Sequence, residues 1–220
     1  MTRPRKLPTG AWQGLLIHAL NLVDQIGKHG AQDPFWTFGG GTVLMLRYEH
    51  RRSKDIDIFV PDPQSLGYVT PRLSDVALSV SADYLEGAGY VKLIRPEGEI
   101  DFVASPNLTV NAFERWRLNG RFVRVETAVE IIAKKLWHRG DRVAARDLFD
   151  LSLVIEREPE ALVAEAKFLT RHRRAFVDQL SHRAVVLSAQ FAAIDRLKYR
   201  PSFDQAAQRA VDFLQSLRGG

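Results

Sequence analysis

The spacing of apolar positions changes several times along the chain, and each change predicts an element. Over residues 12–28, Leu15, Leu16, Ala19, Leu22, Val23 and Ile26 recur at helical spacing, which predicts an opening amphipathic helix. Asp33-Pro34 ends that pattern, and Phe35-Trp36-Thr37-Phe38 reads as a short strand running into Gly39-Gly40-Gly41, with a helix from Thr42 to Tyr48. Ile56, Ile58 and Val60 then alternate with Asp55 and Asp57 as far as Pro61, so this strand has one aliphatic and one acidic face. Further on, the pattern predicts a helix over 73–86, strands over 90–95, 99–104 and 122–125, and a turn at Gly98. After Thr127 helical periods dominate, over 128–139, 143–155, 159–170, 173–198 and 203–217. The expected class is therefore α+β, with a mixed sheet and flanking helices over 1–126 and a C-terminal helical bundle over 127–220.

Composition narrows the function classes. With 220 residues, 45% hydrophobic and 26% charged, the chain can bury a substantial core, which argues against disorder or a fibre. It contains no cysteine, so disulfides, thiolate metal sites and cysteine nucleophiles are excluded. No run of about 18 apolar residues suggests a membrane span, and the basic start MTRPRKLPTG leads into an amphipathic stretch rather than a signal peptide. A cytoplasmic protein is expected. The net charge of +5 favours polyanionic partners in a general way.

The chemistry concentrates in one stretch. Glycines at 39–41 let backbone N–H groups approach an anion closely, and a helix beginning there adds its positive end. Asp55 and Asp57, two apart on a strand, are expected to project from one face about 6–7 Å apart. Their repulsion is what a hard divalent cation relieves. Asp101, set among apolar residues of a later strand, is a candidate third carboxylate. Taken singly, the glycines are an ordinary turn and the aspartates ordinary surface charges; their order and strand context make the pattern specific.

That order, a hydrophobic residue and Gly-Gly followed at strand distance by Asp-hydrophobic-Asp and a later lone Asp, resembles the signature of the nucleotidyltransferase superfold shared with DNA polymerase beta. More narrowly, Gly40-Gly41-Thr42, Arg47 and Arg52-Ser53-Lys54-Asp55-Ile56-Asp57-Ile58-Phe59 are similar to the AbiEii/AbiGii toxin family, related to the MenT-type toxins. The stretch TAVEIIAKKLWHRGDRVAARDLFDL over 127–151 is similar to that family's helical motif, in which a lysine precedes Arg-Asp-x-x-Asp. Of the two lysines, Lys134 shares a face with Glu130 and is most simply a solvated partner of it, whereas Lys135 follows the apolar stripe of Ala128, Ile131 and Ile132, where its charge needs an anion. Asp147 and Asp150 are either acidic decoration of a helix start, with an Arg146 to Asp150 pair, or functional. The resemblance favours Asp147, orienting the lysine, the base or an acceptor hydroxyl.

The resemblance implies NMP transfer from an NTP to an RNA acceptor, with tRNA 3′ ends the best guess, by a toxin that a cognate antitoxin restrains. Asp55, Asp57 and Asp101 would hold Mg2+ (or Mn2+), and Asp101 would draw the proton from the attacking hydroxyl. Gly40, Gly41, Thr42, Arg47, Arg52, Ser53 and Lys135 would bind the nucleotide, and Lys135 and Asp147 complete the catalytic set. Basic helices after residue 126, including the Arg-His-Arg-Arg run at 171–174, are candidates for the acceptor surface. The rival readings are a small-molecule nucleotidyltransferase of the antibiotic-modifying kind and a non-catalytic RNA- or antitoxin-binding protein. No histidine receives a role.

Overall fold

A computed structural model of the chain describes residues 7–30 and 33–217. The extreme N-terminal residues behind the signal-peptide expectation, 1–6, lie outside the described residues. Two compact units divide the chain: Met1–Arg47, Ser53–Asn107 and Phe113–Glu126 form one, and Tyr48–Arg52, Leu108–Ala112 and Thr127–Gly220 the other. Among the described residues no helix is long and apolar enough to cross a membrane.

The first unit is built on a seven-stranded sheet. Its strands are β1 (Thr37–Gly39), β2 (Ile56–Val60), β3 (Tyr84–Gly87), β4 (Tyr90–Arg95), β5 (Gly98–Ala104), β6 (Phe113–Leu118) and β7 (Arg121–Glu126). They lie in the order β3-β4-β5-β2-β1-β7-β6. The β2/β5 and β1/β7 pairs are parallel and the other pairs antiparallel. Period-two alternation puts Ile56, Ile58, Val91, Leu93, Ile100 and Phe102 on one face, all fully or nearly fully buried. Helix α1 (Trp12–His29) packs on β2 and β5 with Leu15, Leu16, Ala19, Leu22 and Ile26 inward. Each such buried Leu or Ile contributes roughly 1.5–3 kcal/mol. The opposite face carries Asp57, Phe59, Lys92, Glu99 and Asp101, and is the polar side of the unit.

Two expectations for this unit fail. The helix over 73–86 is only Asp75–Val80 (α3); it is capped by Ser74, whose hydroxyl accepts from the Ala77 N–H, and it stops where Ser81 turns extended. Tyr84–Gly87 instead pairs with β4 as an edge strand, because the Gly87-Ala88-Gly89 turn sets up a hairpin. Strand β6 is missing from the sequence reading. Its Phe-Glu-Arg-Trp-Arg-Leu shows no apolar alternation, but Asn119 (φ 47°) and Gly120 (φ 75°) form the Asn-Gly turn that favours a tight hairpin with β7.

In the second unit, α4 (Ala128–Arg139), α5 (Ala145–Arg157), α6 (Pro159–Ala164), α7 (Ala166–Leu169), α8 (Arg173–His182), α9 (Ala184–Ala192) and α10 (Phe203–Ser216) form the helical core. Helix α5 is central, packing on α4, α6, α9 and α10. The expected continuous helices over 159–170 and 173–198 are each broken. Residues 193–198 leave the helix to run beside Glu49–Arg52: Arg52 N–H donates to the Asp195 carbonyl (2.8 Å), Leu197 N–H to that of His50 (2.9 Å) and Lys198 N–H to that of Glu49 (2.8 Å).

Lys134 corrects the sequence reading. Its side chain is only 3% exposed rather than solvated, and it pairs with a fully buried Glu130 at 3.4 Å. Glu130 in turn accepts from the backbone N–H groups of Leu108 and Thr109 and from the Thr109 hydroxyl, at 2.8–3.2 Å. One carboxylate thus ties the 108–112 segment to α4. Glu130→Ala deprives Lys134 of this carboxylate and the Leu108 and Thr109 N–H groups of their acceptor, so chemical denaturation should show a loss of about 3–5 kcal/mol.

Candidate active site

The polar sheet face gathers its groups through backbone geometry. Strand β1 ends at Gly39, and Gly40, at φ +73°, opens α2 (Gly40–Tyr48). A Cβ on Gly40 would lie 1.8 Å from Asp57 Oδ2, and one on Gly39 would lie 2.1 Å from Glu126 Oε2. These positions are bare because carboxylates lie over them.

Register supplies the next step. Asp57 on β2 and Asp101 on β5 are direct Cα partners in a parallel pair, on strands about 4.8 Å apart. Asp101 is also the cross-strand partner of Lys92 on β4, whose ammonium lies 3.4 Å from Asp101 Oδ2 and also binds Glu99. Burial pushes the Asp101 carboxyl up, the Asp57 charge adds to this, and Lys92 only partly offsets them, leaving a pKa of about 7. Burial alone would lower the Lys92 pKa, but Glu99 and Asp101 raise it. Lys92 escapes the sequence reading, although its place in the 90–95 alternation, opposite the acidic position of the next strand, is the available signal.

Asp55 stands just ahead of β2, and its Oδ1 accepts from the Glu99 N–H at 3.0 Å. Among the described residues no three His, Cys, Asp or Glu side chains group so as to hold a metal ion. The register brings Asp57 and Asp101 together, and Asp55 lies two residues ahead of Asp57 at the entrance of β2. That pair still fits a small hard cation, which takes one or two protein carboxylates and fills its shell with water and substrate phosphate. The raised Asp101 pKa is the electrostatic cost such a cation would relieve.

The expected nucleotide contacts divide. Gly40 and Gly41 lie at the start of α2. The Thr42 hydroxyl donates to the Asp55 carbonyl (2.6 Å) and lies 3.1 Å from the Ser53 hydroxyl, so Thr42 pins the segment before β2. Arg47, expected on triphosphate, is instead a clasp: it donates to the carbonyls of Glu126 and Val125, pairs with Glu114 (3.1 Å) and stacks on Trp116 (4.8 Å). Arg52 belongs to the second unit, exposed and paired with Asp195 at 3.0 Å.

In that second unit a polar network surrounds α5. Asp150, fully buried, accepts from Arg51 Nε (2.7 Å) and Nη2 (2.8 Å), Lys135 Nζ (2.6 Å) and His50 Nε2 (2.8 Å). Asp147 accepts from Lys135 Nζ (2.7 Å) and Arg139 Nη2 (2.8 Å). Burial by itself would raise both carboxyls. Lys135 and Arg139 hold Asp147 below the ordinary range, and Arg51 and Lys135 hold Asp150 well below it. Burial lowers the His50 pKa despite Asp150, so the ring is neutral and its Nε2–H is the donor. Lys135, expected on a nucleotide phosphate, lies between the carboxylates of Asp147 and Asp150. Asp150 pairs with Arg51 rather than Arg146, and His50 takes a structural role that no metal-ligand spacing could signal. In the 171–174 run, Arg173 donates to the carbonyls of Leu214 and Leu217 and Arg171 stacks on Trp137.

Residues 23–216 match the family described as nucleotidyl transferase AbiEii toxin, type IV TA system. The fold is similar to that of MenT4, a nucleotidyltransferase toxin from Mycobacterium tuberculosis, at 18% identity, with 94% of this chain and 85% of that chain covered and a TM-score of 0.50. JHP933 from Helicobacter pylori is similar at 20% identity, with 93% and 92% covered and a TM-score of 0.47. The antibiotic-resistance factor ANT(2'')-Ia gives 12% identity, 78% and 98% covered and a TM-score of 0.48. No curated protein sequence matches.

Two outcomes follow from the geometry. In metal-free protein, carboxyl chemical shifts should show Asp101 titrating near pH 7, and lower in Asp57→Asn. The folded chain holds this proton to higher pH than the unfolded chain, so the protonated group stabilises the fold below pH 4 and that contribution is lost as pH rises to about 7, at a slope of about 1.4 kcal/mol per pH unit. Asp101→Asn should therefore raise the melting temperature more at pH 8 than at pH 5. Gly40→Ala should destabilise by more than about 2 kcal/mol in denaturant titrations, because φ is positive and Asp57 occupies the space a Cβ needs.

Proposed function

This chain belongs to the AbiEii family of nucleotidyl transferase toxins, and on that premise we propose that it transfers NMP from an NTP to RNA, with tRNA 3′ ends the preferred acceptor. It is a nucleotidyltransferase of a type IV toxin-antitoxin family; the acceptor, the cation and the compartment are our reading. The observation that carries this reading is the register pairing of Asp57 with Asp101, beside the bare Gly40 turn that opens α2.

Asp57 and Asp101 are the residues that would hold Mg2+ or Mn2+. Bound there, the cation supplies charge neutralisation for the phosphates. Asp101 accepts the proton of the attacking RNA hydroxyl. The backbone at Gly40 and Gly41 and the Ser53 hydroxyl bind triphosphate oxygens at the start of α2. Asp55 acts by fixing the β2 entrance through the Glu99 N–H. In the second unit, Lys135 is the cation for anionic substrate, and Asp147 orients its ammonium. The pyrophosphate leaves in line with the incoming oxygen. The toxin acts in the cytoplasm, on the cell's own RNA, until a cognate antitoxin restrains it.

The test incubates the protein with each labelled NTP, Mg2+ and total RNA. Label should enter RNA with one preferred NTP, and Asp57→Asn and Asp101→Asn should each lower the rate by at least about a hundredfold. Removing divalent cations with a chelator should abolish transfer. Absence of RNA labelling by the unaltered protein with every NTP, or undiminished labelling by Asp57→Asn, overturns the proposal.

A further inference from the structure

Strands β6 and β7 extend the sheet face that bears Asp57 and Asp101, and they carry a different chemistry. Alternation from the β1/β7 and β6/β7 registers places Arg124 and Phe122 of β7 and Phe113, Arg115 and Arg117 of β6 on that face. Phe35, just ahead of β1, joins them: Arg124 stacks on its ring (4.9 Å), and Phe113 meets it edge-on at 5.6 Å. Arg115 stacks on Phe122 at 5.0 Å. Phe122 is nonetheless 67% exposed, and Arg115 and Arg117 are exposed too.

Two features set this surface apart from ordinary solvated charge. Arg115 and Arg124 are direct cross-strand partners, and like charges in that position repel. None of the ion pairs among the described residues involves Arg115, Arg117 or Arg124, whereas Arg121, on the other face of the same hairpin, is held by Asp24 through two hydrogen bonds. The arrangement keeps three guanidinium groups together without an anionic partner among the described residues, interleaved with aromatic rings that the core does not need. A polyanion whose units also have flat faces satisfies both features at once.

Strand spacing locates this surface relative to the carboxylate pair. With β1 between them, β7 lies about 10 Å from β2, and β6 about 15 Å. We infer that this face of the β6–β7 hairpin is the platform for the single-stranded end of the RNA acceptor, its phosphates on Arg115, Arg117 and Arg124 and its bases stacked on Phe122 and Phe35. The inference rests on the proposed transfer to RNA and names the surface that receives the acceptor. It moves that surface from the basic helices after residue 126 to the sheet. Single-stranded RNA is favoured over an acidic protein because rings left exposed beside the arginines add stacking to charge.

The test measures anisotropy of a labelled oligouridine without NTP, over a series of salt concentrations, with the unaltered protein and with Asp57→Asn, which retains the hairpin. Arg115→Gln/Arg117→Gln should weaken binding at least about tenfold and lower the slope of log K against log salt by about 1.4. Phe122→Ser should weaken it about tenfold with the slope unchanged. Melting temperatures should show both variants folded. Unchanged RNA binding in the folded double arginine variant overturns the inference, and so does an equal loss of polyglutamate binding with no preference for RNA. RNA labelling with an unaltered KM in the hairpin variants also removes the inference and leaves the proposed function standing. Hairpin-dependent RNA binding by a protein that labels no RNA supports the platform and removes the function.

Discussion

The first unit depends on two consecutive positions without side chains. Asp57 and Glu126 occupy the volume that Cβ atoms on Gly40 and Gly39 would fill. The rest of the local structure follows from keeping that close approach in place. Helix α2 is tied at its start by Thr42, which holds the Asp55 carbonyl, and at its end by Arg47, which holds the Glu126 carbonyl. Thr37 donates to the Glu126 carboxylate at 2.7 Å. The flanking strands β2 and β7 are thereby fixed on either side of the three-residue β1, and the carboxylate partners inherit their spacing from strand geometry rather than from loops.

The two polar centres follow opposite electrostatic designs. On the sheet, Asp101 is left undercompensated, since Lys92 is shared with Glu99 and Asp57 lies beside it. Around α5, three cations, Arg51, Lys135 and Arg139, face two carboxylates, Asp147 and Asp150. The first arrangement holds a carboxyl near neutrality, ready to gain or lose a proton. The second holds its carboxylates ionised and fixes Lys135 between them.

The sheet centre is largely legible in the sequence, because period-two alternation and glycine positions both report backbone geometry directly. Asp57, Asp101 and Gly40 are visible for that reason. Less visible is whatever depends on long-range pairing. The role of Lys92 needs the β4/β5 register, and Arg47 looks like a ligand residue until the carbonyls of β7 are seen beside it. Strand β6 fails to show because each of its faces mixes charged and apolar residues, Phe113 with Arg115 and Arg117 on one and Glu114 with Trp116 and Leu118 on the other. The helix over 73–86 is overextended in the sequence because its apolar positions suit either period, and the Gly87-Ala88-Gly89 hairpin decides between them. Family resemblance points to the lysine and Asp147, but not to the Asp150 interactions that hold His50 and Arg51.

The path of the chain also constrains how it is made. Arg51 leaves the ribosome 99 residues before the Asp150 that neutralises it, and the partners of its backbone at 195–198 come later still. At about 5–20 residues per second this is a wait of roughly 5–20 s. During that interval the sheet unit can complete itself up to Glu126, while the short Tyr48–Arg52 segment, already synthesised, still awaits Asp150 and the backbone at 195–198. The helical unit therefore cannot mature on the nascent chain until nearly all of it has emerged. The polar network around α5 closes only once Asp147 and Asp150 have been made, well after the sheet unit is complete.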